Sequence, residues 1–259
     1  MGQPFQENAK TEWGLFLLAV QFLTRLPVPR DLPFSDDLLI RATKYYPLVG
    51  LLIGSIGALV LVISEGWLGM PVAVILSLAA TLAATGAFHE DGLADAADGL
   101  WGGLTRERRL EIMRDSRIGT YGAVMLGVVL ALKVTLLMSF APGVAAWLLI
   151  LGHVLGRMSA VHVIATTGYA RHSGAKFVAP TVTPDGYRVA LVLSLVVLFA
   201  GMLVLGAGAA LWGLMLCILL AQAVRRICLR KIGGYTGDCL GATQQFGELG
   251  IYLGVALWL

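Results

Sequence analysis

The chain has 259 residues, a hydrophobic content of 58%, a charged content of only 14% and a mean hydropathy of +0.81. Because soluble domains carry about 25% charged residues, these values exclude an ordinary water-soluble domain and indicate an integral membrane protein. The net charge of +3 is explained by basic residues near a membrane surface in contact with lipid, so it gives no reason to expect nucleic-acid binding. No linker or low-complexity segment divides the chain, and residues 1–259 are predicted to form one domain.

The first apolar stretch, Trp13–Leu23, is too short for an ordinary membrane crossing, and Pro27 and Pro29 end it. An interfacial or re-entrant helix is predicted there rather than a signal peptide, because no basic region or small-residue cleavage site surrounds it. Later stretches are long enough to cross a bilayer, apart from a shorter last one: Tyr46–Ile63, Trp67–Phe88, Ile118–Phe140, Val144–Ala165, Val189–Gly206, Ala209–Val224 and Phe246–Leu259. All are predicted to be helices, which gives an all-α polytopic membrane bundle of about six to seven transmembrane helices.

The basic residues are distributed unevenly. All but two of the 19 Lys and Arg residues fall before the first predicted span, between the second and third, between the fourth and fifth, or after the sixth. The opposite connectors, around 64–66, 141–143 and 206–208, carry none. The positive-inside rule therefore predicts a multi-pass protein of the cell (inner) membrane, with its active-site loops on the cytoplasmic face.

The segment His89–Gly99 reads HEDGLADAADG and follows directly on the second span. On a helix that continues out of the membrane, Asp91, Asp95 and Asp98 fall at i, i+4 and i+7 and share one stripe. Oxygen ligands of this kind favour Mg²⁺ or Mn²⁺, although a solvated acidic helix end remains the plain alternative. Asp91 and His89 are the candidate catalytic residues, and His89 is either a general base or a boundary histidine.

Basic residues follow in RDSRIGTYG, just before the third span. Arg114 and Arg117 are predicted to grip a diphosphate, with Asp115 as a metal ligand or as a group that orients an arginine. The neighbouring Arg106, Arg108 and Arg109 are interpreted as a basic face on the lipid headgroups.

Another predicted cytoplasmic segment, Lys231–Glu248, is rich in glycine around Thr236 and Asp238. Such glycines suggest backbone brought close to a ligand, with Asp238 reaching a shared metal. A tight turn that caps the next helix explains the same pattern, because Thr and Asp are good N-cap residues.

Four ionisable residues lie within the predicted spans and are candidates for function by default: Lys133, His153, Arg157 and His162. A transporter could use them as a proton or anion path, but no inverted repeat is evident. They could instead pair with Asp or Glu of the cytoplasmic segments or line a substrate cavity. The connector Thr166–Arg188, with Arg171, His172, Lys176 and Pro180, carries enough polar and basic groups to touch a large substrate, but it is interpreted first as a loop facing headgroups.

Four sequence blocks together resemble the signature of the cobalamin-5′-phosphate synthase family, the adenosylcobinamide-GDP ribazoletransferases. The blocks are FLTRLPVP…YYPLVGLLIG, FHEDGLADAADG, RRLEIMRDSRIGTYG and GGYTGDCLGA…GEL. The resemblance covers essentially the whole chain and departs from the expected pattern at Glu90, where an apolar residue is usual. It implies a Mg²⁺-requiring membrane transferase that joins adenosylcobinamide-GDP to α-ribazole or its 5′-phosphate and releases GMP.

On this hypothesis the Mg²⁺ ligands are Asp91, Asp95 and Asp98, and the remaining candidate residues complete the substrate site: Arg114, Asp115, Arg117, Thr236 and Asp238. A prenyl or CDP-alcohol transferase is the rival enzyme class, but the CDP-alcohol signature DGxxAR requires Arg where Asp95 stands. Association into a homo-oligomer is left open.

Overall fold

The computed structural model describes residues 5–115, 117–171 and 181–259, with side chains from residue 10 onward. His172, Lys176 and Pro180 of the predicted connector lie outside the described residues. The prediction of an all-α bundle is confirmed, because the described part is mostly helical and its β-structure is limited to one isolated bridge. The helices are α1 (Phe5–Leu23), α2 (Asp36–Ala42), a 3₁₀ turn (Thr43–Tyr45), α3 (Tyr46–Thr85), α4 (Phe88–Gly102), α5 (Arg106–Ile112), α6 (Thr120–Met138), α7 (Pro142–Thr166), α8 (Pro184–Leu205), α9 (Ala207–Ile232) and α10 (Gly237–Trp258).

Helix α3 is a hairpin of two arms that reverses at Gly69, whose φ of 75° is left-handed and favours glycine. The Ser77 hydroxyl donates to the carbonyl oxygen of Gly57 at 2.8 Å, which a straight helix of this length could not allow. The arms correspond to the first two predicted spans.

Length and composition identify five candidate membrane-crossing segments in the described part, of which the first, Asp36–Thr85, contains both arms of α3. The others are α6, α7, α8 and α9. Counting the arms separately gives six crossing helices, within the predicted six to seven, and the 22-residue α10 packs with them although it is not among the candidates. Helix α1 is not among the candidates; it begins earlier than predicted, at Phe5, and ends at Leu23 as expected.

Glycines bring the long helices into backbone contact, and the order of these contacts along each pair shows that the neighbouring helices run antiparallel. A Cβ on Gly54 of α3 would lie 2.7 Å from the Cα of Ile150 in α7, and one on Gly250 of α10 would lie 2.6 Å from the backbone nitrogen of Cys217 in α9. The reversals at Gly69, 139–141 and 206 therefore share one end of the bundle. The connections at the opposite end of the bundle are flanked by arginines and lysines, and we call this end the basic end.

One expectation about the acidic helix is wrong. It does not continue the second span, because Gly86 (φ 66°) and Ala87 (φ 56°) are both left-handed and break the helix after Thr85. A left-handed alanine costs about 1–2 kcal/mol, so packing must hold this break in place. Helix α4 begins at Phe88 in a new direction and packs across the basic-end halves of α6 and α10.

Candidate active site

Two glycines set the crossing of α4 and α10. A Cβ on Gly241 would lie 2.8 Å from the carbonyl oxygen of His89 and 3.0 Å from the Cα of Gly92. Only hydrogen at both positions allows the two backbones to meet so closely. The contact brings Asp91 and Asp95 of α4 near Asp238 in the first turn of α10, and we call these three residues the carboxylate cluster.

The cluster carries more negative charge than its surroundings neutralise. Burial, followed by the charges of Asp91, Asp238 and Asp98, raises the pKa of half-buried Asp95 from 3.8 to about 7, against the opposing effect of Arg171. Burial also raises the pKa of Asp238. A cation placed here would relieve the repulsion, so the site favours a positively charged ligand.

Arg171 is the basic side chain that enters the cluster. Its Nη2 donates to Asp238 Oδ2 at 2.9 Å, and the two side chains are 15% and 19% exposed. A parallel backbone bridge aligns the segments that carry them: the Ala170 N–H donates to the carbonyl of Tyr235 at 2.8 Å, and the Tyr235 N–H donates to that of Gly168 at 3.0 Å. The sequence pointed to Arg171 only as part of a connector, because this bridge leaves no local pattern.

The glycine-rich segment is much shorter than predicted. Only residues 233–236 separate α9 from α10, and Glu248 lies inside the bundle rather than in a cytoplasmic loop. Thr236 is fully buried and caps α10, its hydroxyl accepting from the Cys239 N–H at 3.3 Å. The capping alternative for Thr236 is thus observed, whereas its predicted substrate contact stays a prediction.

Asp98 faces α6 rather than open solvent. Its two oxygens accept hydrogen bonds from the backbone N–H groups of Gly119 and Gly122, at 2.7 and 2.8 Å, and the residue is 7% exposed. A carboxylate at a helix N-terminus satisfies free N–H groups and interacts favourably with the helix dipole. Asp98 therefore joins α4 to α6, and a role as metal ligand stays a prediction.

The predicted diphosphate arginines lie apart from this arrangement. Arg117 is 87% exposed and forms a two-pronged ion pair with Asp115, which lowers the pKa of that carboxyl to about 2. Arg114 is exposed, and no contact joins any of the three to the carboxylate cluster within the described residues. Nearby, Arg106 and Arg109 donate to carbonyls at the end of α9, so these two cap a helix instead of forming only a basic face.

His89 lies on the inner side of α4. The residue is 6% exposed, and burial together with the charge of Arg157 holds its pKa well below the ordinary value. The imidazole is therefore neutral at physiological pH and only weakly basic.

A network of buried charges joins α4, α6, α7 and α10 behind the carboxylate cluster. Lys133 Nζ lies 2.9 Å from Glu248 Oε1 and donates to Gln245 Oε1 at 2.7 Å. The amide of Gln245 in turn donates to Glu90 Oε1 at 2.7 Å, so the unusual Glu90 points inward and ties α4 to α10. Sequence analysis did not single out Glu248 or Gln245.

The other ionisable residues of the spans also have partners. His153 Nδ1 lies 3.5 Å from Glu248 Oε2, and Arg157 Nη1 donates to the His153 carbonyl at 3.1 Å. His162 shares a hydrogen bond of 3.0 Å with the Tyr187 hydroxyl. Pairing with an acidic residue is thus the alternative that is observed for Lys133 and His153, and Glu248 is the partner of both. This pairing weakens the transporter hypothesis.

No group of three or more His, Cys, Asp or Glu side chains in the described ranges is arranged to hold a metal ion by itself. The cluster supplies oxygen ligands only, and a metal bound there would complete its coordination with substrate or water oxygens. The opposite face of α4 borders an apolar cleft of about 190 Å³, lined among others by Leu93, Trp101 and Phe246.

Comparison with known proteins gives a consistent answer. The family described as cobalamin-5-phosphate synthase matches residues 15–256. An adenosylcobinamide-GDP ribazoletransferase of Ralstonia nicotianae is 44% identical over 260 residues, which cover 98% of this chain and 95% of that protein. The enzymes of the same name from Shewanella amazonensis and Vibrio cholerae are each 43% identical, with coverage of 94% and 92% of this chain and 95% and 92% of theirs. No solved structure matches the chain. The resemblance seen in the four sequence blocks is confirmed, and the chain belongs to the cobalamin-5-phosphate synthase family of enzymes.

Proposed function

We propose that the protein transfers the adenosylcobinamide-phosphate group from adenosylcobinamide-GDP to α-ribazole or its 5′-phosphate and releases GMP. The relatives are named for this ribazoletransferase activity. The observation that carries the proposal is the carboxylate cluster at the α4–α10 crossing, where Asp91, Asp95 and Asp238 meet one arginine at the basic end. The excess negative charge of the cluster suits a divalent cation, and the cation and the arginine together suit the diphosphate of the substrate.

The donor set fits Mg²⁺. This ion prefers oxygen ligands and is usually held by one or two carboxylates together with substrate phosphates, which agrees with a cluster that is incomplete by itself. Asp91, Asp95 and Asp238 would hold it, with Asp98 keeping α4 in register with α6. When bound, the ion would neutralise negative charge that develops on the departing phosphate.

The reaction replaces the phosphoanhydride bridge of the diphosphate with a phosphodiester linkage to the acceptor. A ribose hydroxyl of the acceptor attacks the phosphorus attached to cobinamide, a new P–O bond forms, and the bridging P–O bond breaks as GMP leaves with its electron pair. The hydroxyl proton needs an acceptor. His89 is buried on the inner side of α4, whereas Asp91 is the exposed member of the cluster and can be reached by the acceptor hydroxyl, so we assign the proton to Asp91.

The topology supports an active site on the cytoplasmic side of the inner membrane. In the sequence, all but two of the 19 basic residues fall in the segments predicted to lie on one face of the membrane, and cytoplasmic segments carry such an excess. A cysteine introduced in place of Arg114, which is exposed, should react with a membrane-impermeant maleimide only in inverted vesicles. Labelling in right-side-out vesicles would contradict this orientation.

The transferase proposal is tested with purified protein in lipid nanodiscs, supplied with adenosylcobinamide-GDP and α-ribazole with and without Mg²⁺. GMP release should require the metal and should fall by about 10³-fold or more in Asp91→Asn and Asp238→Asn. Asp185→Asn is the matched control, since Asp185 forms an exposed ion pair with Arg188 and should turn over normally. Absence of GMP release from the wild-type protein would refute the transferase proposal, and metal-independent release, or normal release by Asp238→Asn, would refute the metal site at the cluster.

A further inference from the structure

We propose that Arg171 is the residue that holds the substrate diphosphate, and that Asp238 positions its guanidinium by binding one edge of it. This inference rests on the proposed transferase function, and it assigns to one residue, and to one part of the substrate, a contact that the sequence suggested only for the connector as a whole. It assigns to the segment after α7 a role first expected for the exposed arginines between α5 and α6.

The geometry leaves Arg171 partly engaged. Its Nη2 donates to Asp238 Oδ2 at 2.9 Å, while its buried Nε has no hydrogen-bond partner in the described part of the chain. A guanidinium has five N–H donors in a planar fork, so one carboxylate contact leaves donors for a second oxyanion. Asp238 Oδ2 also accepts from the Thr236 hydroxyl at 3.1 Å, which fixes the carboxylate that orients the arginine.

Backbone hydrogen bonds hold the residue before Arg171 in place. The hydrogen bonds between Gly168, Ala170 and Tyr235 align the segment before α10 with the segment that carries Arg171. The Tyr169 and Tyr235 rings pack edge to face with their centroids 5.4 Å apart. A donor held in place before the ligand arrives loses little entropy on binding, which is what an anion site requires.

The other arginines of the basic end have different partners or positions. Arg106 and Arg109 donate to backbone carbonyls that end helices, and Arg117 is bound on two atoms by Asp115. Arg114 is exposed and has no contact with the cluster among the described residues. Among the described residues, Arg171 is thus the arginine that combines partial burial with direct contact to the cluster.

The charge balance requires such a group. A diphosphate that approaches Asp91, Asp95 and Asp238 meets like charges, and a divalent cation shared with the carboxylates offsets only part of the repulsion. A guanidinium at the edge of the cluster contacts the phosphate oxygens from the other side. Because it is tied to Asp238, it also couples the position of the diphosphate to that of the cluster.

The test compares Arg171→Gln and Arg171→Lys with Arg188→Gln, a matched control because Arg188 also forms a 2.9 Å pair with an aspartate but on the exposed end of α8. We expect Arg171→Gln to raise the KM for adenosylcobinamide-GDP and to weaken inhibition by inorganic pyrophosphate, each by about 10- to 100-fold. Its KM for α-ribazole should not rise. Its affinity for Mn²⁺, measured by the EPR signal of free Mn²⁺, should not weaken. Arg171→Lys should recover part of the loss, and Arg188→Gln should match wild type.

Wild-type pyrophosphate inhibition in Arg171→Gln would overturn the inference. So would a parallel loss of Mn²⁺ affinity and thermal stability in both Arg171 variants, because this would make the arginine a structural partner of Asp238 only. Failure of the proposed function looks different: the wild-type protein would bind Mn²⁺ and pyrophosphate in an Arg171-dependent manner, yet release no GMP from adenosylcobinamide-GDP.

Discussion

Acidification should weaken metal binding through Asp95. The pKa of this carboxyl is raised from 3.8 to about 7 by burial and by the neighbouring aspartates, so between these values the folded protein holds a proton that a metal must displace. At about pH 6 only about one tenth of the Asp95 side chains are ionised, and the apparent affinity falls about tenfold for each further pH unit. Asp238, whose pKa is also raised, acts in the same direction.

The assay is Mn²⁺ binding followed by EPR between about pH 5 and about pH 8, with protein in lipid nanodiscs. The affinity should reach a plateau above about pH 7, and Asp95→Asn should bind more weakly with a flatter profile. Asp115→Asn is the control, because Asp115 has a pKa of about 2 and stays ionised throughout. A wild-type profile with its midpoint near 4, or an unchanged midpoint in Asp95→Asn, would refute the reasoning.

Four further changes test the architecture. Because the pKa of Asp95 is higher in the folded than in the unfolded protein, its ionisation lowers stability as pH rises from about 4 to about 7, and Asp95→Asn should raise stability at neutral pH by about 1 kcal/mol after allowance for its half-exposed position. Asp98→Ala should cost about 1–2 kcal/mol through loss of the α6 cap, with Mn²⁺ affinity reduced less than in Asp95→Asn. Glu248→Gln leaves Lys133 uncompensated and should cost about 3–5 kcal/mol in thermal unfolding. Gly241→Ala forces α4 from α10 and should reduce turnover more than stability.

The changes at Glu248 and Gly241 have matched controls in the chain. Glu111→Gln removes an exposed ion pair with Arg108 and should cost less than about 1 kcal/mol. Gly127→Ala adds a Cβ where nothing lies within 4 Å and should be neutral or slightly stabilising. If Asp98→Ala abolished Mn²⁺ binding while α6 remained stable, Asp98 would be a metal ligand after all. Equal unfolding temperatures for Glu248→Gln and Glu111→Gln would contradict the buried network.

The sequence predicted the membrane helices well because hydropathy over some twenty residues is a local property. The spans Tyr46–Ile63 and Trp67–Phe88 correspond to the two arms of α3, and the stretch Val144–Ala165 lies within α7. The break at Gly86 and Ala87 could not be predicted, since both residues are compatible with a continuing helix. Only packing of α4 against distant segments selects the left-handed conformation.

The candidate site was predicted where a local pattern marks it, at Asp91 and Asp95 and in the glycine-rich segment that carries Asp238. The spacing of Asp91 and Asp95 reveals their common face, but the partners of that face come from far along the chain. Arg171 and Asp238 are 67 residues apart, and Glu90 and Gln245 are 155 residues apart. Such contacts depend on how the helices cross, and local patterns in a single sequence do not reveal these crossings. Asp98 matches the stripe, and the sequence did not indicate that its carboxylate also accepts hydrogen bonds from the start of α6.

The Lys133–Glu248 pair also bears on how the protein is made. Lys133 is synthesised long before its partners, since Gln245 follows it by 112 residues, which takes roughly 6–20 s of translation. A lysine at the centre of a membrane helix is disfavoured by about 2.5–3.5 kcal/mol. Insertion of α6 is therefore unfavourable at Lys133 until Glu248 and Gln245 of the last helix pair with it. We expect chains truncated before α10 to be removed by membrane proteases unless Lys133 is replaced by methionine, a difference that pulse-chase labelling would reveal.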